Sequence, residues 1–234
     1  MDPWSVGLAV LVVVGLVAIV VGALYDRRRN ERRAQEMLSP PSRAIPHFRA
    51  DAPAPQYLSE LQARRAPSTN VADALSAEQR TEITTQLADD RTPTVAAGYA
   101  SADFVTDPTS RWAVLEDPVV CICGDEVVST RELLGLLERV ILSRTPLVLV
   151  APELARDVLS TLEVNRIQRR LSVVVVLVPD AAERERLARL CGARLTERSD
   201  RQAGYLPPVD LGRCERWVST ATSSHVVARR TATT

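Results

Sequence analysis

The side chains in this sequence that are best suited to metal binding or catalysis belong to two of the cysteines and to the two histidines. Cys121 and Cys123 stand two positions apart in an apolar run, so a strand there would direct both thiols to the same side. Such a pair could supply half of the ligands of a thiolate metal site. We favour the interpretation that both cysteines are small apolar residues of a reduced core. His47 and His225 fall in segments that we interpret as linker or tail, which argues against histidine-based catalysis. We therefore predict no catalytic residue, no metal and no cofactor.

The composition excludes several further chemistries. All 29 Lys+Arg residues are arginine, so the sequence has no lysine for a phosphate-binding loop or for a Schiff base. The 29 basic residues are matched by 29 acidic ones, and a net charge of +0 gives no overall field that would favour nucleic acid. GxSxG, HExxH and GxGxxG patterns do not occur. These features predict a protein that is not an enzyme and binds neither nucleic acid nor nucleotide.

A long apolar run lies near the first residue of the sequence. Residues 6–24 contain no charged side chain, and as a helix they would extend ~28 Å, close to the hydrocarbon thickness of a bilayer. Trp4 and Tyr25 flank the run, where aromatic side chains prefer the membrane interface. The sequence predicts a transmembrane anchor over residues 1–25.

A cluster of arginines determines the expected topology of this anchor. Asp2 precedes the apolar run, and the cluster that follows it consists of Arg27, Arg28, Arg29, Arg32 and Arg33. This order is the reverse of that in a cleavable signal peptide. Because positive residues stay on the cytoplasmic side, we expect a single-pass protein of the cell membrane with its N-terminus outside and everything after Tyr25 in the cytoplasm.

Residues 26–93 have the composition of a flexible linker. They are rich in Pro, Ala, Ser, Arg and Gln, and the dispersed prolines interrupt any long helix. Residues 76–90 are the exception, because Ser76 and Gln79 have the spacing of a capping box and Ile83 and Leu87 share one helical face. We predict a short helix there that docks on its own domain in preference to a partner.

Residues 94–228 show an alternation of strand and helix signals that predicts an α/β domain, followed by a disordered tail over 229–234. The predicted strands cover residues 119–122, 147–150 and 172–178. The predicted helices run from the Ser129/Glu132 capping box to about Ser143, over residues 153–168, and over residues 180–191, where Gly192 follows as a C-terminal cap.

Short stretches of this region resemble the apical domain of GroEL-type (group I) chaperonins, in the same order along about residues 98–228. They are GYAS at 98–101, FVTDP at 104–108, AVLEDP at 113–118, RELL at 131–134, LLE at 136–138, PL at 146–147, LSTL at 159–162 and VN at 164–165. The resemblance implies a chaperonin apical-domain-like fold of the swivelling β/β/α type, preceded here by one transmembrane helix and the linker. The family's nucleotide-hydrolysing domain has no counterpart in these stretches.

The resemblance also implies a binding surface for polypeptides. In that family, two parallel helices and a nearby aromatic segment capture non-native chains and the co-chaperonin. Carried over by position, the surface consists of Tyr99, Phe104, Leu134, Leu137, Leu159 and Val164.

The residues themselves leave the role of this surface open. Leu133, Leu136 and Val140 form one stripe of the first helix, and the apolar positions beside them either bury a second side of it or form an exposed binding ridge. Glu163 and Asp103 stand where the family has apolar residues, which favours a basic or polar-rimmed partner or a loss of binding.

We therefore predict a membrane-anchored, ATP-independent polypeptide-binding protein. The alternative is a membrane scaffold that recruits one specific folded partner with the same fold and no chaperone activity. A metal protein or enzyme built on Cys121 and Cys123 ranks third.

Overall fold

The computed structural model describes residues 4, 12–26, 28, 63–65, 74–204 and 206–228. The chain divides into two units, Met1–Tyr57 and Leu58–Thr234. The predicted linker over 26–93 is thus described at residues 26 and 28, at 63–65 and from 74 onward, whereas His47 and the tail over 229–234 lie outside the described residues.

In the first unit, residues 12–26 form a helix with exposed side chains. Trp4 and Tyr25, the expected interface residues, are 84% and 66% exposed. Arg28 is described and exposed, whereas residues 6–11 and the other members of the arginine cluster, Arg27, Arg29, Arg32 and Arg33, lie outside the described residues. Among the residues with described positions, no helix combines the length and the hydropathy needed to cross a membrane.

The second unit alternates short strands and helices. Its strands are β1 (Thr94–Val95), β2 (Ala113–Glu116), β3 (Val119–Cys123), β4 (Leu147–Ala151), β5 (Val173–Leu177), β6 (Leu195–Thr196), β7 (Gly212–Arg213), β8 (Arg216–Ser219) and β9 (Ser224–Val227). Its α-helices are α1 (Ala77–Leu87), α2 (Leu134–Ser143), α3 (Arg156–Ile167), α4 (Ala181–Cys191) and α5 (Arg198–Gln202). Single 3₁₀ turns cover Ala102–Phe104, Thr130–Leu133 and Pro208–Asp210.

A mostly parallel sheet with the order β5-β4-β3-β6 forms the centre of this unit, and β7 pairs antiparallel with β3. Its central strands are buried runs of Val, Leu, Ile and Cys, as expected where helices cover both faces of a parallel sheet. Because βαβ crossovers are right-handed, the successive steps from β3 to β4 to β5 place α2 and α3 on the same face. Helix α4 packs against β3, β6 and β7.

A second, antiparallel sheet has the order β1-β9-β8-β2. Trp217 on β8 is fully buried and donates its Nε1 hydrogen to the Ser219 hydroxyl at 2.8 Å. The sequence pattern assigns His225 to a linker or tail. That assignment is wrong, because His225 lies in β9 and pairs with Thr94 of β1.

Helix α1 confirms the helix predicted over residues 76–90. Ser76 and Gln79 form the expected reciprocal capping box, with contacts of 3.1 and 2.8 Å. Ile83 is 1% exposed and packs with Val114 and Val218, so the helix docks on the antiparallel sheet of its own unit. The apolar face that the sequence predicted is therefore used within the chain.

The three predicted strands and the helices after them are present with shifts of a few residues at their ends. The helix predicted to start at the Ser129/Glu132 capping box differs most, because a 3₁₀ turn covers Thr130–Leu133 and α2 begins only at Leu134. The Ser129 hydroxyl accepts from the backbone N–H of Arg131 rather than of Glu132. The carboxylate of Glu132 instead accepts hydrogen bonds from Arg201 and from the backbone N–H of Val128.

Candidate functional site

A buried ion pair fixes the start of helix α2. The side chains of Glu132 and Arg201 are 3% and 0% exposed, and Arg201 donates from Nε to Glu132 Oε2 at 3.2 Å. The other oxygen of Glu132 accepts from the backbone N–H of Val128 at 3.3 Å. Arg201 also donates to the carbonyl oxygens of Thr196 at 2.7 Å and Glu126 at 2.9 Å. The turn that leads into α2 is thus held on both sides.

The inner face of α2 confirms the predicted stripe, because Leu133, Leu136 and Val140 are at most 3% exposed. The apolar residues of α2 beside this stripe differ in their exposure. Leu134 is 48% exposed, whereas Leu137 is only 8% exposed and belongs to the core. Of the two α2 residues predicted to bind polypeptide, only Leu134 presents surface.

Further apolar side chains continue this surface along α2. Ile141 is 43% exposed and Leu142 is 86% exposed, about two turns after Leu134. We call Leu134, Ile141 and Leu142 the outer row of α2. Exposed apolar side chains grouped in this way are typical of an interaction surface.

Helix α3 carries the second predicted pair, Leu159 and Val164, and both are half-buried. Leu159 packs partly against the core. The inward face of this helix is buried, since Val158 and Leu162 are both 0% exposed. Leu154, which precedes the helix and forms an isolated bridge with Val127, is 9% exposed. Helix α3 contacts both the Ala102–Phe104 turn and the Thr130–Leu133 turn, so it links the aromatic segment to the start of α2.

The aromatic segment offers less surface than its predicted role requires. Phe104 is fully buried in the core, and Tyr99 is half-buried against it. The backbone N–H of Tyr99 donates to the Thr220 carbonyl at 3.0 Å. Phe104 therefore presents no surface for binding, and Tyr99 presents only part of its side chain.

Two carboxylates beside this surface converge on one arginine. Arg64 Nη1 lies 3.5 Å from Asp103 Oδ2 and 3.4 Å from Glu163 Oε2. Arg64 Nη2 donates to the Ser160 hydroxyl at 3.1 Å. The side chain of Glu163 is only 12% exposed. The two acidic residues that the sequence singled out therefore share a cationic partner, and that partner belongs to the predicted linker.

A cleft lies at the other end of the two helices. Its volume is about 480 Å³, and its lining includes Ile141, Arg144, Arg169 and Arg170. Of the predicted binding residues, none lines it. The cleft is therefore separate from the six residues predicted from the resemblance, but it adjoins the outer row of α2 at Ile141.

The cysteines lie in the interior of the domain, and the hydrogen bond between Cys121 and Cys123 lowers the pKa of the Cys123 thiol. Cys121, Cys123, Cys191 and Cys214 are all buried. Hydrogen bonding with Cys123, together with burial, raises the pKa of the Cys121 thiol well above its ordinary value, and burial raises the pKa of Cys191 to about 12. Within the described ranges, no group of three or more His, Cys, Asp or Glu residues could hold a metal ion.

His225 is the histidine that the structure describes. Its Nδ1 lies 3.0 Å from the Thr94 hydroxyl and its Nε2 lies 3.2 Å from the Ser223 hydroxyl. These contacts are to neighbouring hydroxyls of the antiparallel sheet, and burial lowers the pKa of His225. These contacts indicate a structural role for His225 within the antiparallel sheet.

Sequence reasoning missed three participants, Glu132, Arg201 and Arg64. Glu132 was interpreted as a helix cap, which is what an S-x-x-E pattern normally indicates. Nothing in the pattern around Arg201 distinguishes it from the arginines of exposed helices. Arg64 lies in a stretch whose composition predicted no fixed position.

These features define a mixed α/β domain, and a comparison of its sequence with known proteins shows that it is chaperonin-like. The chain is 39% identical over 103 residues to chaperonin GroEL 1 of Mycobacterium ulcerans (strain Agy99), a match that covers 42% of this chain and 19% of that chaperonin. The chain thus spans about a fifth of the length of this curated relative. The chaperonin-like part of the predicted resemblance is confirmed, whereas the membrane anchor stays a prediction.

Among solved structures, the chain is similar to a chaperonin of the bacteriophage EL 2 (Pseudomonas aeruginosa). That match has a TM-score of 0.48 and 13% identity, and it covers 60% of this chain and 29% of the phage chaperonin. No known family profile matches the chain.

Proposed function

We propose that this protein is a membrane-anchored, ATP-independent polypeptide-binding protein whose chaperonin-like domain faces the cytoplasm. The main support for this proposal is the exposure of the outer row of α2, in which Leu134 is 48% exposed and Leu142 is 86% exposed. Leu134 lies in the segment predicted to match the chaperonin apical domain. Capture of a non-native chain requires exposed apolar area and does not require nucleotide. The proposal assigns the protein no reaction and no cofactor.

The ion pair between Glu132 and Arg201 supports this role, because it holds the start of α2 in place. Leu134 is the first residue of α2 and follows directly on the turn that contains Glu132. A surface residue on a fixed base loses little conformational freedom when a ligand binds. Leu134 is therefore the position where substitution should affect binding most specifically.

The test is the affinity of the full-length chain, in detergent micelles, for a chemically unfolded and fluorescently labelled model protein. We expect Leu134→Ser plus Leu142→Ser to weaken binding about tenfold or more, since one fully buried leucine side chain is worth ~1.5–3 kcal/mol. Val209→Ser is the matched control, because Val209 is 75% exposed and lies on the Pro208–Asp210 turn. Equal affinity of all three forms would reject the assigned surface, and release of the ligand on addition of ATP would reject ATP independence.

The membrane anchor is a separate part of the proposal. Its support is the uncharged run over residues 6–24 and the arginines that follow it. We expect the full-length chain to remain in the membrane fraction after alkaline carbonate extraction, and a C-terminal tag to be protease-accessible only from the cytoplasmic side. A variant that lacks residues 6–24 is the control. Release of the full-length chain by carbonate would reject the anchor.

Burial of two predicted binding residues favours a second candidate function. Phe104 is 0% exposed and Leu137 is 8% exposed, so the available apolar area is smaller than the resemblance implies. Such a surface suits a membrane scaffold that recruits one specific folded partner. Proximity labelling in cells distinguishes the two functions, because a scaffold would label one stoichiometric partner and a polypeptide-binding protein would label many nascent or unfolded chains.

A further inference from the structure

Residues 63–65 lie against helix α3, although the sequence places them in the linker. The guanidinium of Arg64 contacts three side chains that come from two elements. Asp103 lies on the Ala102–Phe104 turn, whereas Ser160 and Glu163 lie on α3, three positions apart and therefore on the same helical face. We call these three side chains the arginine subsite.

The backbone of the same segment is held as well. Gln168, directly after α3, donates from Nε2 to the carbonyl oxygens of Ala63 at 2.7 Å and Arg65 at 3.0 Å. Contacts thus reach the residue before Arg64, its side chain and the residue after it. Recognition of one side chain together with the flanking backbone is how a groove binds a short peptide segment.

The charges of the subsite match this occupant. Glu163 is 12% exposed at its side chain, so its carboxylate is largely removed from water and gains from a cationic partner. Asp103 supplies a second carboxylate to the same Arg64 nitrogen. An arginine can satisfy several acceptors at once because its guanidinium presents five N–H donors in a planar fork.

We propose that the arginine subsite is a binding site for an arginine-bearing polypeptide segment, and that residues 63–65 of the same chain are its resident ligand. Leu159 precedes Ser160 and Val164 follows Glu163 on α3, so the resident segment binds the helix that carries two of the residues predicted from the resemblance to bind polypeptide. This part rests on the proposed function. The linker then competes with any external polypeptide for access to α3.

The first experiment measures binding of a labelled peptide with the sequence of residues 58–70 to the full-length chain. We expect the Arg64→Ala chain to bind the peptide about three- to tenfold more tightly than the wild type, because the apparent affinity rises as the fraction of unoccupied sites rises. The same peptide with Arg64→Ala should not bind. Equal affinity of the wild-type and Arg64→Ala chains would overturn the proposal.

A matched pair of variants tests whether the subsite itself is responsible. Adding Asp103→Asn and Glu163→Gln to the Arg64→Ala chain should abolish the gained peptide binding. Adding Asp157→Asn, a carboxylate removal on the first turn of α3, should preserve it. Gained binding that survives the loss of Asp103 and Glu163 would overturn the assignment.

Trypsin provides a second measurement without an added ligand, since it cleaves after arginine. Cleavage after Arg64, measured relative to cleavage after Arg49 of the same chain, should become about threefold or more faster when Asp103→Asn and Glu163→Gln are introduced, because a site is cleaved in proportion to its unoccupied fraction. An unchanged ratio would overturn the proposal. Both measurements are independent of unfolded-protein binding, so failure of the proposed function would leave them interpretable.

Discussion

Arg201 and Glu132 form an ion pair withdrawn from water, with 3.2 Å between Nε and Oε2 and side-chain exposures of 0% and 3%. The two residues lie far apart in the sequence, on α5 and on the turn before α2. The pair connects the edge of the parallel sheet to the helix that carries Leu134. Breaking it should therefore affect stability and the proposed binding surface together.

Replacing Arg201 with Met should lower the free energy of unfolding by about 3–5 kcal/mol, because an uncompensated carboxylate would remain buried. Urea denaturation measures this change. The double variant Arg201→Met with Glu132→Leu should recover much of the loss. Arg189→Gln removes an exposed i,i+4 pair with Glu185 and should cost less than about 0.5 kcal/mol. Equal effects of Arg201→Met and Arg189→Gln would contradict the structural role of the buried pair.

Two glycines should respond in opposite directions to alanine. A Cβ at Gly98 would meet the backbone of Thr220 and Ala221, so Gly98→Ala should destabilise the fold by about 1–3 kcal/mol. A Cβ at Gly135, inside α2, would lie 3.8 Å from the Gly204 carbonyl oxygen, an ordinary contact. Gly135→Ala should therefore stabilise by about 0.5–1 kcal/mol through helix propensity. Thermal unfolding of the two variants compares them directly.

The four cysteines should be inert in the folded chain. They are all buried, so reagents reach them poorly, and burial raises the pKa of Cys191 to about 12, so the Cys191 thiolate is scarce at neutral pH. The pKa of Cys123 is lowered by its hydrogen bond with Cys121, so burial alone protects that thiol. A colorimetric thiol reagent should react slowly with the native chain and rapidly after denaturation. Fast native reaction at Cys121 or Cys123, or stoichiometric zinc in the purified chain, would revive the metal hypothesis.

His225 should contribute to loss of stability in mild acid. Burial lowers its pKa below the ordinary value of 6.5, so the unfolded chain binds this proton more readily than the folded chain does. The stabilising contribution of neutral His225 is fully present above pH 6.5, and it is lost as the pH falls from there through the folded-state pKa. The His225→Gln variant should show a smaller decline in stability than the wild type between about pH 7 and about pH 5, measured by urea denaturation. An identical decline would contradict this assignment.

The central α/β part of the fold was predictable because its signals are local. Val173–Leu177 is an uninterrupted β-branched run ending in leucine, and Asp180 and Gly192 mark both ends of α4. The antiparallel sheet escaped prediction because β8 and β9 carry Arg216, Ser219, Ser224 and His225, which obscure the apolar pattern. Their polar side chains are satisfied by contacts between strands that the sequence does not reveal.

The candidate site was predictable only in part for a similar reason. The residue types at Leu134, Asp103 and Glu163 indicated an apolar surface with an acidic edge. The burial of Phe104 and Leu137 depends on packing between distant elements, and the position of Arg64 depends on contacts more than 35 residues away in the sequence, such as its contact with Asp103 at a separation of 39. Local patterns carry no information on either.

Hydrogen exchange of the full-length chain, with and without an unfolded model polypeptide, tests whether α2 and α3 form the surface that binds polypeptide. We expect exchange to slow in α2 and α3 while β8 and β9 remain unchanged, since bound polypeptide excludes water from the outer row of α2 and its neighbours. Unchanged exchange throughout the chain, or slowing confined to the antiparallel sheet, would contradict it.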